Sequence, residues 1–165
     1  MARLDSSRIA AWRGLQALVG QIERGLDEEL RADWDIQLGW FDVLASLQRL
    51  GGRARPLDIA ADLRLPPSSL SRRLDRLQEE GWIARHREVP GADLRAVEVE
   101  LTRTGRRLWR EMNVSYRRAI QAQFAIHLDD ADIADIARVL DTLFGIDEPI
   151  EPSGDDRFHQ GSDPG

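Results

Sequence analysis

Two short helical patterns, separated by a break of a few residues and followed at once by an alternating pattern, constrain this chain more than any other feature. Pro56 opens the first helix, at 57–63, and Pro67 opens the second, at 67–80, which ends at Gly81. Proline suits the first turn of a helix, and glycine suits the position just past its end. Two helices joined by so short a turn predict a helix-turn-helix.

After Gly81 the apolar residues alternate instead of recurring at helical spacing. Residues 82–88 and 95–101 each fit a short strand, and in the second strand apolar residues alternate with Glu98 and Glu100. This period of two is typical of a half-buried strand. The turn-rich loop at 89–94 joins the two strands, so the sequence predicts a β-hairpin directly after the helix-turn-helix.

Longer helical patterns flank this lobe at about 6–31, 36–50, 102–127 and 130–145. Ser6 or Ser7 can cap the first, Thr102 the third, and Asp129 or Asp130 the last. The first, third and last of these helices carry apolar stripes that one small core cannot cover, which predicts an interface with a second copy. We therefore expect a helical dimerisation region over 6–50 and 102–145, a lobe at 53–101, and a disordered acidic tail at 146–165.

Charge is distributed unevenly along the chain. All 23 basic residues are arginines, and with 29 acidic residues the net charge is −6. Residues 53–110 nevertheless hold 13 arginines and nine acids, a net charge of +4. A basic lobe between acidic flanks indicates contact with nucleic acid, although arginine-only usage also fits a GC-rich genome.

The second helix of the helix-turn-helix has two distinct faces on a helical wheel. Its leucines at 70, 74 and 77 share the face that must point to the core. Small hydroxyls and arginine guanidiniums on the other side suit reading of the DNA major groove, because serine permits close approach and arginine can bond guanine at two points. The alternative is an ordinary solvated helix face. The residues predicted to contact DNA are Ser68, Ser69, Ser71, Arg72 and Arg76.

The hairpin supplies a second candidate contact. Asp93 and Arg95 lie at its tip, and Arg85 and Arg87 flank it. An arginine that extends from a DNA-reading unit can enter the minor groove, where negative potential is concentrated, and Asp93 could hold it by a charge-assisted bond. The alternative is an exposed surface pair that contributes little.

These segments, taken in order, resemble the MarR family of winged-helix regulators. The resemblance spans about residues 6–145 and implies an obligate homodimer that binds palindromic promoter DNA, with Ser69, Ser71 and Arg72 as reader residues and Arg95 as the wing arginine. Many members release DNA when a small molecule, often an aromatic anion, binds between the dimer helices and the DNA lobe. The matching segments are FDVL at 41–44, LDIAADL at 57–63, SLSRRLDRL at 69–77, EGWIAR at 80–85, DLRA at 93–96 and LTRTG at 101–105.

Five tryptophans raise the possibility of a ligand pocket. Trp12 and Trp40 fall on helices expected to border the cleft between the lobes, with Asp42 beside Trp40 and Arg73 on the flank of the reader helix. Such a set could hold a planar anion, and Asp42 and Arg73 resemble the urate-responsive branch of the family. The alternative assigns both tryptophans to the core and makes the Arg–Asp pair structural.

Other function classes find no support. The chain has no cysteine, which excludes disulfides and thiol chemistry, and no lysine, which a P-loop requires. Its three histidines lack metal-ligand spacing, and no Gly-x-Ser-x-Gly elbow occurs. No apolar run reaches the length of a membrane span, and the N-terminus lacks a signal peptide's apolar core. We expect a cytoplasmic protein that is not an enzyme and needs no metal or cofactor.

The sequence thus predicts a mainly α-helical chain with a small β-hairpin wing, an α+β winged helix-turn-helix with N- and C-terminal dimerisation helices. The predicted function is a homodimeric DNA-binding transcription regulator, a repressor released by a small-molecule effector. The alternative is a protein-interaction dimer that keeps this fold but has lost DNA binding.

Overall fold

The computed structural model describes residues 3–87 and 97–144, which fall into two compact units that divide after Ile126. The predicted hairpin loop and acidic tail lie outside the described residues. No helix in the described part is long and apolar enough to cross a membrane. The elements of the first unit are α1 (Ser6–Trp34), α2 (Leu38–Arg49), β1 (Arg53–Ala54), α3 (Pro56–Asp62), α4 (Pro67–Glu79), β2 (Ile83–Arg87), β3 (Val97–Leu101) and α5 (Arg103–Gln123); the second contains α6 (Asp130–Phe144).

The cap of α1 differs from the prediction. Asp5, and neither Ser6 nor Ser7, is the N-cap residue, and its carboxylate accepts the Arg8 backbone N–H at 2.9 Å. A carboxylate at this position also complements the positive end of the helix dipole. The helix runs on to Trp34 and ends where Asp35 adopts a left-handed conformation, which aspartate tolerates better than most residues.

The other long helices also depart from prediction at their ends. Thr102 caps α5 as predicted, with its hydroxyl accepting the Gly105 N–H at 3.0 Å. The helix stops at Gln123 rather than near residue 127, because a 3-10 turn takes over at Ala125–His127. Asp129 precedes α6 and accepts the Asp132 N–H at 2.9 Å, which confirms one of the two predicted caps.

The hairpin is part of a three-stranded antiparallel sheet with the order β1-β3-β2. The two predicted strands are confirmed, whereas β1 was not predicted. It pairs with β3 in the register Arg53↔Glu100 and Ala54↔Val99. Gly51 and Gly52, both at positive φ, turn the chain from α2 into this short strand.

Helix α2 lies at the centre of the first unit, as its nearly continuous apolar surface predicts. It contacts α1, α3, α4, α5 and the sheet. Its Leu44 and Leu47 are fully buried against leucines of α4 and strand residues such as Val99. This packing holds α4 with its leucine face inward and its polar face outward.

The apolar stripe of α1 is buried along only part of its length. Leu26 and Leu30 join the core, but Trp12 is 61% exposed and Leu15 49% exposed. Within its own unit, α6 likewise exposes large apolar side chains such as Ile133 and Leu143. Exposed apolar faces of this kind are typical of interfaces. Dimerisation through these helices stays a prediction.

Candidate nucleic-acid interface and anion pocket

The outer face of α4 carries the predicted reader residues. Ser68, Ser69, Ser71 and Arg72 are all exposed, while the three leucines behind them are buried. Pro67 in the first turn sets the start of the helix, and Gly81 at φ +72° follows its end. The local sequence therefore presents small hydroxyls and the Arg72 guanidinium outward on a rigid element.

The three arginines of α4 differ in their partners. Arg73 donates from Nη1 to the Gly39 carbonyl at 3.1 Å. Arg76 pairs with Glu80 at 2.8 Å, reaches Glu79 at 3.3 Å, and lies 5.8 Å from the Trp40 ring centroid. Arg72 makes no hydrogen bond or ion pair within the described part of the chain. Of these guanidiniums, that of Arg72 has its full donor set available to an outside ligand.

The base of the hairpin is tied to α4. Arg85, in β2, donates from Nη2 to Asp75 Oδ1 of α4 at 2.7 Å. Because strand side chains alternate, His86 lies on the other face of the sheet, where its Nε2 is 2.9 Å from Glu100 Oε2. Arg87 is the last residue of β2. The other two predicted hairpin contacts, Asp93 and Arg95, lie outside the described residues.

The start of α5 is fixed against the base of the hairpin. The Thr102 hydroxyl donates to the Gly81 carbonyl at 2.8 Å while it accepts the Gly105 N–H at 3.0 Å. A Cβ added to Gly105 would overlap the Trp82 carbonyl oxygen and lie 2.9 Å from its carbon. Only glycine permits this close approach of two backbones. Gly105 ends the LTRTG segment, but nothing in the sequence indicates its packing against Trp82.

Asp42 and Arg73, two of the four predicted pocket residues, line one cavity of about 470 Å³. Residues of α1, including Glu23 and Arg24, form its opposite wall. A Cβ on Gly39 would lie 2.9 Å from Arg73 Cζ, so this glycine makes room for the guanidinium. The structure thus brings the predicted carboxylate and guanidinium together at a junction of α1, α2 and α4.

The two predicted tryptophans do not line this cavity. Trp40 packs edge-on against Trp82, with ring centroids 6.4 Å apart, and borders the core. Trp12 lies on the exposed N-terminal half of α1. Trp40 therefore borders the core, as the alternative interpretation predicts, because its indole packs against Trp82 and the Arg76 guanidinium.

Burial makes the Asp42 carboxyl a weaker acid than an exposed aspartate. Its removal from water raises the pKa of the carboxyl to about 6, against the opposing charges of Arg73 and Arg49 and with a further rise from Glu23. Its charge in turn adds to the burial effect that raises the pKa of Tyr116. The cavity therefore contains a carboxyl group that changes charge in mildly acidic solution.

This shift predicts how stability varies with pH. The folded protein retains the Asp42 proton up to about pH 6, whereas the unfolded chain loses it near 3.8. Stability from this residue is therefore fully present below pH 3.8 and is lost as the pH rises to about 6, by about 2–3 kcal/mol. Urea unfolding at several pH values should show this fall in wild type and not in Asp42→Asn. Equal profiles for the two proteins would contradict it.

The sequence over residues 34–96 matches the sequence model of the MarR family. The chain resembles this family over that central segment. It is 36% identical over 86 residues to the HTH-type transcriptional regulator PecS of Dickeya dadantii (strain 3937), a match that covers 51% of this chain and 50% of PecS. The chain thus spans about half the length of this curated relative.

Solved structures of MarR family proteins share the fold. A mutant of MarR from E. coli, complexed with operator DNA, superposes with a TM-score of 0.72 at 25% identity, over 86% of this chain and 99% of that one. A MarR family transcriptional regulator from Streptomyces coelicolor, in complex with DNA, gives a TM-score of 0.77 at 21% identity, over 94% and 97% of the two chains. These likenesses confirm the predicted winged helix-turn-helix fold.

Proposed function

We propose that this chain is a sequence-specific DNA-binding regulator of transcription that acts as a homodimer. The observation that carries the proposal is the exposed Ser/Arg face of α4, on which Arg72 makes no hydrogen bond or ion pair with the residues that the structure describes. A free guanidinium flanked by small hydroxyls can enter the major groove and bond guanine O6 and N7 together. The solved relatives that hold DNA support the same use of the fold.

Each predicted residue receives a role on this proposal. Arg72 reads a base edge, and the hydroxyls of Ser68, Ser69 and Ser71 bond bases or phosphates. Arg95, held by Asp93, enters the minor groove beside the reader helix. Arg76, Arg85 and Arg87 contact the phosphate backbone of the DNA. The acids that pair with Arg76 and Arg85 reduce the contribution of these two arginines to phosphate binding.

A homodimer fits the unpartnered apolar surface of α1. Its exposed residues would be buried against a second copy, and a two-fold axis would relate the two reader helices. Two such helices contact half-sites that lie about 10 base pairs apart, or a multiple of that distance. The expected target is therefore an inverted repeat.

Selection of bound duplexes from a randomised DNA pool tests this function. An enriched inverted repeat would support a dimeric sequence reader and define its operator. If nothing is enriched at low salt from protein whose sedimentation shows a dimer, the proposal fails. The protein-interaction dimer that lacks DNA binding would then be the better account.

We further propose that a planar anion in the α1–α2–α4 cavity releases the DNA, which makes the regulator a repressor. The cavity volume of about 470 Å³ lies within the range of small-molecule sites. Arg73 would pair with the anion, and Asp42 would hold Arg73 in position. The cavity borders α4 itself, so occupancy can alter the placement of the reader helix.

Anion binding can be measured directly by calorimetry with benzoate, salicylate and urate. At least one should bind to wild type, and Arg73→Ala should weaken it by about 10- to 100-fold through loss of a charge-assisted pair. Arg76→Ala is the matched control, because this second α4 arginine lies outside the cavity lining. If no anion binds, or if both variants weaken binding equally, the cavity is not the effector site.

A further inference from the structure

One face of α5 consists of arginines that the reader function does not use. Arg103, Arg106, Arg107 and Arg110 stand at the i, i+3, i+4 and i+7 spacing that places side chains on one side of a helix. We call these four residues the α5 arginine stripe. The buried residues of the helix, among them Met112 and Ala119, lie on its opposite side.

The stripe has few internal partners. Arg106 lies 3.4 Å from Glu100, which also faces His86. In the part of the chain that the structure describes, Arg103, Arg107 and Arg110 make no hydrogen bond or ion pair. Three stripe arginines also line a cleft of about 450 Å³ at the outer face of the sheet. The positive charge is therefore concentrated and open to an external anion.

This arrangement is unfavourable for the folded protein alone. Like charges three and four residues apart destabilise a helix by about 0.2–0.5 kcal/mol per pair. Arginines in the first turns also oppose the helix dipole, and α5 has no acidic residue in its first turn. The sequence of α1, by contrast, contains both arginines and acidic residues.

The stripe lies on the other side of the sheet from the reader helix. Arg85 of β2 points to Asp75 of α4, whereas the adjacent His86 points with Glu100 toward Arg106. DNA read by α4 with the hairpin in the adjacent minor groove would continue past the hairpin on this far side. The stripe would face that continuing segment.

We propose that the α5 arginine stripe binds the phosphate backbone of duplex DNA outside the sequence read by α4. This inference rests on the proposed DNA-binding function and extends its contact surface. Four arginines over about 10 Å of helix match the charge density of a duplex, in which each strand carries one phosphate per ~3.4 Å of the duplex axis. Guanidiniums bind phosphate oxygens at two points and carry no sequence preference there.

The surroundings of the stripe favour DNA over a membrane surface. Membrane-surface helices insert an apolar face into lipid, but the apolar face of α5 is buried in the protein core. The reader helix already engages DNA on the proposed function, so a duplex is held close by. These two features make the DNA backbone the better fitting polyanion.

The test compares two duplexes that carry the selected inverted repeat, one trimmed to the repeat and one with 12 base pairs of arbitrary flank on each side. The variant is Arg103→Gln/Arg107→Gln/Arg110→Gln, which keeps good helix formers. Wild type should bind the flanked duplex more tightly. The triple variant should lose this advantage, and its slope of log affinity against log salt on the flanked duplex should fall by about 2–3 for each protomer, or about 4–6 for the dimer. Binding to the trimmed duplex should stay unchanged.

A control variant, Arg3→Gln/Arg13→Gln/Arg138→Gln, removes the same charge from other exposed positions and should keep the flank advantage. Equal flank advantage in the triple variant and wild type would overturn the proposal while the reader function stands. If wild type does not recognise the repeat, the reader function fails. The stripe is then tested alone with a repeat-free duplex at low salt. Loss of binding in the triple variant supports the stripe proposal, and no loss overturns it. Binding to phosphatidylserine vesicles that requires the stripe, without any DNA effect, would also overturn it.

Discussion

Gly105→Ala is expected to lower the free energy of unfolding by about 3 kcal/mol or more. The added Cβ would overlap the Trp82 carbonyl oxygen, which is backbone and cannot rotate away. The Thr102 hydroxyl bonds the Gly81 carbonyl and the Gly105 N–H, so the first turn of α5 cannot retreat without breaking these bonds. Overpacking of this kind typically costs 1–3 kcal/mol, and the lost hydrogen bonds add about 1 kcal/mol. Urea unfolding followed by tryptophan fluorescence measures the change.

Gly14→Ala is the matched control. This glycine lies within α1, and a Cβ there would meet nothing within 4 Å. Alanine should stabilise the helix by about 0.5–1 kcal/mol, because it is the better helix former. If both variants unfold at the same urea concentration, the contact between α5 and the base of the hairpin is not tight.

Arg72→Ala should weaken binding to the selected operator by about 10- to 100-fold for each of its two half-sites. The loss corresponds to about 1–3 kcal/mol for one bidentate contact to a base, and it should relax sequence preference at one position of each half-site. Fluorescence anisotropy with the operator and with single-base variants measures both effects. Arg72 is exposed and makes no hydrogen bond or ion pair with the described residues, so stability should be unchanged.

Arg76→Ala separates this account from a general charge effect. It removes the same charge from the same helix, but Arg76 is already paired with Glu80. Its effect on operator affinity should stay within about threefold, and sequence preference should be unchanged. Equal losses in the two variants would mean that α4 contributes charge rather than base reading.

The outline of the fold could be predicted because its boundaries are marked by strong local signals. Pro56, Pro67 and Gly81 delimit α3 and α4, and the wheel of α4 separates leucines from serines. The strand Arg53–Ala54 escaped prediction because two residues are too few to show a period, and its pairing partner lies more than 40 residues away. The cap of α1 shifted because Asp5 competes with the serines that follow it.

The candidate site could be predicted only in part. A helical wheel identifies which arginines face outward, but not which of them are free. Whether an arginine is free depends on groups in other elements, such as Gly39 of α2 for Arg73. The same holds for Arg85 of β2, which pairs with Asp75 of α4. The placement of Asp42 and Arg73 in the lining of one cavity was predicted, whereas Trp40 packs beside the core.

The contact between Thr102, Gly105 and Trp82 fixes α5 rigidly to the base of the hairpin. No side chain lies between the two backbones to absorb movement. Helix α5 has 21 residues and is therefore about 31 Å long. A displacement of about 3 Å at its far end corresponds to a rotation of α5 by about 5°. Because the contact is rigid, the base of the hairpin is expected to rotate with the helix by the same angle. Small displacements at the far end of this helix are therefore expected to change the orientation of β2 and β3.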